Sequence, residues 1–203
     1  MRITGVIQAG GRSTRMGGRP KALMEVGGRR IIDRVADVVR AVVDDVLLVT
    51  NTPELYAWLG LPMVPDTFPD HGALGGIYSG LRAARGDAAF TVACDMPFLM
   101  PEVARLVTDR AGEADVVAPR IAGQWETLHA CYGRACLSPI EARLRAGRLQ
   151  ITGFFDEMRV LAIDEAAVAR HRAPAVVFMN VNTPDELEAA RRLLPAVAPT
   201  PVR

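Results

Sequence analysis

The chain has 203 residues, half of them hydrophobic, with 24 basic and 23 acidic side chains and a formal net charge of +1. This length is typical of one domain that buries roughly 70% of its unfolded surface. The balanced charge argues against a nucleic-acid binder that relies on a broad basic face. The three cysteines form no C-x-x-C pair, and no apolar run approaches the roughly 18 residues of a membrane span. We therefore expect a soluble cytoplasmic protein that binds neither nucleic acid nor membrane.

Short β-type runs alternate with amphipathic helical patterns along the chain. The predicted strands are residues 4–9, 46–50, 88–93, 115–118, 128–132, 160–163 and 176–179. The predicted helices are residues 31–42, a segment opened by Pro53, residues 74–84, a segment opened by Pro101, and residues 139–146 and 184–194. Strands that are apolar on both faces and alternate with helices favour a parallel sheet sandwiched between helices. We expect one domain over residues 1–195 and a flexible tail, rich in proline and small residues, over residues 196–203.

The first predicted strand runs directly into a glycine-rich basic loop, residues 10–21, which contains Arg12, Arg15 and Lys21. Glycines let backbone N–H groups approach an anion closely, and the cations neutralise it. The loop matches neither Gly-x-x-x-x-Gly-Lys-Ser/Thr nor Gly-x-Gly-x-x-Gly. The pattern therefore disfavours an ATPase P-loop and a dinucleotide oxidoreductase, and it predicts a site for a small polyanion such as a nucleotide.

A carboxylate, Asp95, follows the apolar strand predicted at residues 88–93. In open α/β sheets, ligands bind at the carboxyl ends of the strands, so Asp95 and the glycine-rich loop should open onto the same edge. A carboxylate that faces a triphosphate repels it unless a cation lies between them, and Mg²⁺ is the usual cation. We interpret Asp95 as a Mg²⁺ ligand; the alternative is an aspartate that only begins the turn before Pro97.

Asn180 and Asn182 follow the strand predicted at residues 176–179. Their amide oxygens either complete the shell of the cation, order its waters, or belong to a plain polar turn. Thr183 and Glu186 have the spacing of a capping box for the next helix, which leaves the two asparagines unexplained by local structure.

Asp66 precedes a second glycine cluster, at residues 72–76. Its carboxylate could accept hydrogen bonds from guanine N1–H and N2–H₂ or from ribose hydroxyls. Glycines there would let the backbone pass close to a base or a ribose.

Taken together, these segments resemble the molybdenum cofactor guanylyltransferases. The family's opening pattern, Leu-Ala-Gly-Gly-x-Ser-x-Arg-Met-Gly-x-Asp-Lys, is similar to residues 8–21, and its metal-site motif is similar to Ala-Cys-Asp-Met-Pro-Phe at residues 93–98. Its Pro-Asp-x-x-x-x-x-Gly-Pro-Leu-x-Gly motif is similar to residues 65–76, and its Asn-x-Asn-Thr-Pro-Glu/Asp-Leu motif to residues 180–187. Four motifs in the same order are specific, whereas any one alone would not be.

The resemblance implies a three-layer α/β/α, Rossmann-like nucleotidyltransferase with a mostly parallel sheet. It implies transfer of GMP from GTP to molybdopterin carrying molybdenum, with Mg²⁺ as cofactor and with partner proteins that insert molybdenum or use the finished cofactor. The nucleotide-binding residues carried over by position are Gln8, Ala9, Gly10, Gly11, Arg12, Lys21, Asn51, Asp66 and Asp95. The catalytic residues in this interpretation are Arg15, Lys21 and Asp95, and Asp95 binds the metal with the help of Asn180 and Asn182.

Four places depart from the family pattern. Gln8 stands where leucine is usual, Pro20 replaces an acidic residue, Ala73 replaces a proline, and Glu-Thr-Leu at residues 126–128 replaces His/Gln-Pro-Leu. These changes bear on substrate choice more than on nucleotide chemistry. The alternatives are a cytidylyl- or sugar-nucleotidyltransferase of the same fold and a non-catalytic nucleotide-binding regulator. The retained lysine and metal-site carboxylate favour an enzyme, because a sensor needs no cations for a transition state.

Overall fold

The computed structural model describes residues 1–10 and 20–194. Its strands are β1 (Ile3–Gln8), β2 (Glu25–Val26), β3 (Arg29–Arg30), β4 (Asp45–Val49), β5 (Met63–Val64), β6 (Ala88–Ala93), β7 (Val116–Ile121), β8 (Gln124–Trp125), β9 (His129–Gly133) and β10 (Val160–Asp164). Its α-helices are α1 (Ile31–Arg40), α2 (Gly72–Ala83), α3 (Pro101–Thr108), α4 (Leu137–Arg145), α5 (Glu165–Ala169), α6 (Pro174–Val177) and α7 (Pro184–Leu193).

The centre of the described structure is one sheet of eight strands in the order β10-β7-β9-β6-β1-β4-β5, with β8 paired to β7. β1 is parallel to both β4 and β6, β4 is parallel to β5, and β10 is parallel to β7. β9 lies antiparallel between β6 and β7. β8 is also antiparallel to β7. The described sheet is therefore mostly parallel, as predicted, and β8 and β9 run the other way.

Alternate residues of the strands pack into separate hydrophobic clusters on the two faces of the sheet. Ile3 and Ile7 of β1 belong to a cluster that includes residues of α1, α3 and α7, whereas Val6 belongs to a cluster that includes residues of α2 and α4. A sheet that is covered on both faces requires strands that are apolar on both faces, which is the pattern in the sequence. The three-layer α/β/α fold is confirmed.

The prediction of a strand at residues 176–179 is wrong. The chain forms α6 there, a short helix that begins at Pro174, and the described sheet ends at β5 on one side and β10 on the other. A proline at the first helical position fixes φ near its helical value. Val177 is buried in the first cluster, so the helix also satisfies the apolar pattern of this segment.

The segment opened by Pro53 is a 3₁₀ turn, Pro53–Leu55, followed by a second one, Ala57–Leu59. Gly60 ends it in the left-handed conformation, with φ of 63°. The chain thus passes from β4 to β5 through two short 3₁₀ turns, where the sequence predicted a helix that begins at Pro53.

The register of the strands sets the position of the candidate site. Gln8, the last residue of β1, lies between Val49 and Ala93, the last residues of β4 and β6. Across β6, the first residue of β9, His129, pairs with Val92. The ends of three parallel strands and the start of an antiparallel strand therefore meet at one edge.

No helix in the described parts of the chain has the length and hydropathy needed to cross a bilayer.

Candidate nucleotide-binding site

A cavity of about 980 Å³ opens at this carboxyl edge of the sheet. It brings together every candidate residue that the structure describes: Gln8, Ala9, Gly10, Lys21, Asn51, Asp66, Asp95, Asn180 and Asn182. Gly11, Arg12 and Arg15 lie outside the described residues. A cleft of about 570 Å³ near Ile3 and Asp44, at the opposite edge, contains none of the candidates.

Lys21 and Asp95, which are far apart in sequence, form an ion pair in this cavity. The Lys21 Nζ lies 3.8 Å from the Asp95 Oδ2, and the two side chains are 19% and 15% exposed. The Cys94 N–H donates to the carbonyl of Gln8 at 3.1 Å, which fixes the turn after β6 to the end of β1. Gln8, which precedes the glycine-rich loop, and Cys94, which precedes Asp95, therefore lie at the same edge of the sheet, as predicted.

Burial dominates the electrostatics of Asp95. It raises the pKa of the Asp95 carboxyl, and the attraction of Lys21 only partly opposes it. The Glu186 carboxylate adds a smaller repulsion that also raises this pKa. A carboxylate that is poorly solvated and only partly compensated gains from a further cation, which is the property expected of a metal ligand.

The segment that carries the two asparagines is held by its own hydrogen bonds. The Val181 N–H donates to the Asp95 carbonyl at 2.9 Å. Glu186 Oε2 accepts from the N–H groups of Asn182 and Thr183 at 2.6 and 2.9 Å, and Thr183 Oγ1 accepts from the Glu186 N–H at 3.2 Å. The predicted capping box is confirmed, and it also fixes the backbone at Asn182.

The two asparagines have different surroundings. Asn182 Oδ1 accepts a hydrogen bond from Lys21 Nζ at 2.7 Å. Asn180 Nδ2 donates to the carbonyl of Phe178 at 3.2 Å, and its oxygen has no hydrogen-bond partner among the described residues. The expectation that both follow a strand was wrong, since they follow α6, yet both line the cavity.

Asp66 and Asn51 form the other wall of the cavity. Asn51 Oδ1 accepts from the Asp66 N–H at 2.9 Å. Asp66 Oδ1 accepts from Ser79 Oγ at 2.9 Å and from the Phe68 N–H at 3.0 Å. One carboxylate oxygen is thus used to fix the side chain, and the second has no partner among residues 1–10 and 20–194. The arrangement can present that oxygen to a hydrogen-bond donor of a ligand.

Sequence reasoning missed several residues that line the cavity, among them Thr52, Leu55, Tyr56 and Asp70. Tyr56 lies in the two-turn segment after β4, and burial raises the pKa of its hydroxyl. Asp70 has a left-handed backbone with φ of 66°, a conformation that is uncommon for residues other than glycine. Tyr56 belongs to none of the four motifs, and Asp70 falls on an unspecified position of the motif at residues 65–76, so only the folded chain reveals that both line the cavity.

His129 supplies no proton-transfer group to this cavity. Its ring packs edge-on against Phe90 and Phe178, with centroid separations of 5.3 and 5.2 Å. Burial lowers the pKa of His129 to about 4, and the Val103 carbonyl only partly opposes this. The imidazole is therefore neutral at physiological pH and is part of the core.

A cavity at the carboxyl ends of parallel strands that contains a lysine and a buried carboxylate is typical of nucleotide-binding α/β proteins. Residues 5–162 match the family of the MobA-like NTP transferase domain. The chain is 40% identical over 195 residues to the molybdenum cofactor guanylyltransferase of Desulfosudis oleivorans, with 96% of each chain covered. The chain belongs to this family of nucleotidyltransferases, which confirms the resemblance and the enzyme class inferred from the four motifs.

Solved structures show the same fold. Molybdopterin-guanine dinucleotide biosynthesis protein A from Archaeoglobus fulgidus is similar, with a TM-score of 0.79 at 21% identity over 94% of this chain and 97% of that one. The manganese complex of Rv0371C from Mycobacterium tuberculosis has a TM-score of 0.67 at 23% identity over 97% and 100% of the two chains.

Proposed function

We propose that the protein transfers GMP from GTP to molybdopterin carrying molybdenum, forming the guanine dinucleotide cofactor and releasing pyrophosphate. The observation that carries this proposal is the meeting of Lys21 and Asp95, 3.8 Å apart, in one cavity at the end of β1, the strand that leads into the glycine-rich loop. The names of the sequence relatives do not favour the alternative of a cytidylyl- or sugar-nucleotidyltransferase. A non-catalytic regulator would have no need of a buried carboxylate that is only partly compensated.

The chemistry is an in-line displacement at the α-phosphorus of GTP. An oxygen of the terminal phosphate of molybdopterin forms the new bond to phosphorus, and the bond to the bridging oxygen of the β-phosphate breaks, with its electrons leaving on pyrophosphate. The attacking phosphate monoester is anionic near neutral pH, so no general base is required. A core-packed, neutral His129 is compatible with this mechanism. Catalysis is then mainly positioning and charge stabilisation.

The residues divide between the phosphates and the nucleoside. Lys21 neutralises the triphosphate, together with Arg12 and Arg15 of the preceding loop, and the backbone of residues 8–11 approaches the nucleotide. Asn51 and Asp66 contact the base and ribose from the opposite wall, where the second Asp66 oxygen has no partner among the described residues. Four or more negative charges meet in this reaction, so the cations contribute most as charge develops.

The donor set in the cavity fits Mg²⁺. Asp95 offers a buried carboxylate and Asn180 an amide oxygen without a partner among the described residues, which are the hard donors that this ion prefers. Asn182 Oδ1 already accepts from Lys21 Nζ, so it would either share its oxygen with the ion or order a water of its shell. The described parts of the chain contain no group of three His, Cys, Asp or Glu side chains that could hold a metal. The remaining ligands would be phosphate oxygens and water, as in sites where the metal arrives with the nucleotide. When bound, the ion would supply Lewis-acid charge stabilisation at the phosphates.

Pyrophosphate release with molybdenum-loaded molybdopterin tests the function. We expect turnover with GTP and Mg²⁺ and little with CTP. Thermal unfolding measures GTP binding independently of turnover, because GTP at about 100 times its Kd should add roughly 2.7 kcal/mol to the free energy of unfolding. Equal turnover with CTP would contradict the guanylyl assignment. Binding of GTP without any turnover would favour a regulator.

We also propose that the enzyme acts in the cytoplasm, as one step between other proteins. Molybdopterin would reach it from proteins that insert molybdenum, and the product would pass to the molybdoenzymes that use it.

A further inference from the structure

Two of the departures from the family pattern lie against each other in the structure. With the Gln8 amide in the orientation that satisfies both of its polar atoms, the nitrogen donates to the carbonyl of Ala73 at 3.3 Å. The amide oxygen accepts from the Ile77 N–H at 3.1 Å. The side chain at the end of β1 thus bridges the first turn of α2, whose carbonyl at 73 and N–H at 77 also have the spacing of a helical i to i+4 pair.

Gly76 makes room for this bridge. A Cβ at position 76 would collide with the Gln8 amide. Gly72, Ala73 and Gly76 all line the cavity, so the bridged turn is part of the nucleotide site. The same helix carries Ser79, which hydrogen-bonds Asp66. The Gln8 side chain therefore joins the strand that leads into the phosphate loop to the helix that orients the opposite wall.

A proline at position 73, which is the family pattern, would stiffen this turn by other means. It would fix φ near its helical value, and the N–H that it lacks belongs to the first turn, where backbone donors have no intrahelical partner. Alanine leaves the turn with more conformational freedom. We propose that Gln8 is a positioning residue: its amide holds the first turn of α2 against β1 and replaces the rigidity that proline would give at position 73. The inference rests on the proposed function only in taking the ligand of this cavity to be GTP.

The experiment is a double-mutant cycle of Gln8→Leu and Ala73→Pro, which restores the family residues one at a time and together. The GTP Kd by calorimetry and the KM and kcat for GTP are measured for each variant. Gln8→Leu removes both hydrogen bonds of the bridge, and the loss of one neutral hydrogen bond alone corresponds to about fivefold. We therefore expect this variant to raise the GTP Kd and KM by about fivefold or more, with kcat changed less than twofold. Ala73→Pro alone, at a turn that lines the cavity, should change the GTP Kd less than Gln8→Leu does, and the double variant should return within about twofold of the wild type. Gln150→Leu is the matched control, at an exposed glutamine whose side chain bonds only Thr152 among the described residues.

Hydrogen–deuterium exchange of the unliganded protein tests the bridge without any nucleotide. We expect faster exchange at Ile77 in Gln8→Leu and a return towards the wild-type rate when Ala73→Pro is added. Gln8→Met, which keeps side-chain length, replaces Gln8→Leu if the leucine variant does not fold. Unchanged exchange in the Gln8 variant, or additive effects without rescue by Ala73→Pro, would overturn the inference. A wild type that fails to bind GTP while the exchange pattern holds would contradict the proposed function and leave the bridge supported.

Discussion

Replacing Asp95 by asparagine should separate activity from stability. At 3.8 Å, and with an effective dielectric constant of about 20, the attraction between Asp95 and Lys21 is about 4 kcal/mol. Both side chains are less than a fifth exposed, and burial of an ion costs several kcal/mol. The pKa of Asp95 is raised by burial despite the attraction of Lys21, so in the folded protein the desolvation cost is the larger of the two. Lys21 keeps its hydrogen bond to Asn182 Oδ1 when residue 95 is neutral, so a neutral isostere should leave the metal-free protein at least as stable as the wild type.

Proton linkage gives the direction in which the stability difference between Asp95→Asn and the wild type changes with pH. The pKa of Asp95 in the folded protein lies above its ordinary value of 3.8, so the folded state binds the proton more tightly than the unfolded state does. The carboxylate penalty is absent below the unfolded pKa, grows as the pH rises through the folded pKa, and is complete above it. The stability of Asp95→Asn relative to the wild type should therefore increase with pH over that window and then level off.

Two assays on the same preparation test this reasoning. Scanning calorimetry without nucleotide or metal should give a Tm equal to that of the wild type or higher by about 2–4 °C per kcal/mol gained. Pyrophosphate release at saturating Mg²⁺ should fall by about 10²- to 10³-fold, as for the loss of one preorganised electrostatic group. Asp156→Asn, at an exposed carboxylate outside the cavity, is the matched control and should change neither. A Tm lowered by more than about 4 °C, or turnover within about tenfold of the wild type, would refute the argument.

Three further substitutions test the parts of the site separately. Lys21→Ala should raise the GTP Kd about 10- to 100-fold, as for the loss of a charged hydrogen bond. It should also lower the Tm, because Asp95 stays buried without its cation. An unchanged GTP Kd, measured by titration calorimetry, would contradict this. Gly10→Ala places a Cβ that meets nothing within 4 Å among the described residues, so the Tm should hold while GTP binding weakens; normal affinity would mean that the backbone there does not approach the nucleotide. Thr183→Ala removes the capping hydrogen bond and should lower the free energy of unfolding by about 1 kcal/mol, or the Tm by about 2–4 °C. An unchanged Tm in thermal melting would show that Glu186 alone holds this turn.

The meeting of Lys21 and Asp95 could be predicted because it depends on rules that act at the level of topology. Each follows an apolar strand of a parallel sheet, and parallel neighbours end at the same edge. The register of Gln8 beside Ala93 then brings the two turns together, whatever the details of packing. For the same reason the sequence identified β1, β4 and β6 within one or two residues.

The direction of β9 could not be read from the sequence. A buried antiparallel strand and a buried parallel strand have the same apolar composition, and the short β7–β8 connection that reverses the chain contains no more than the left-handed Ala122 and Gly123. The role of the Gln8 amide was equally hidden, because it depends on which helix packs over the end of β1. Tertiary partners, and not local patterns, decide both.

The error at residues 176–179 did not move Asn180 and Asn182 away from the predicted edge. A run of four apolar residues fits a buried strand or one buried helical turn, and periodicity does not distinguish them. The strand premise placed Asn180 and Asn182 at the sheet edge by topology, whereas in the structure a hydrogen bond from the Val181 N–H to the Asp95 carbonyl does so. This wall of the cavity is therefore attached through a backbone contact and a capping box instead of a sheet ladder. Its position depends on α7, so a perturbation of that helix should move Asn182 without disturbing the strands beneath it.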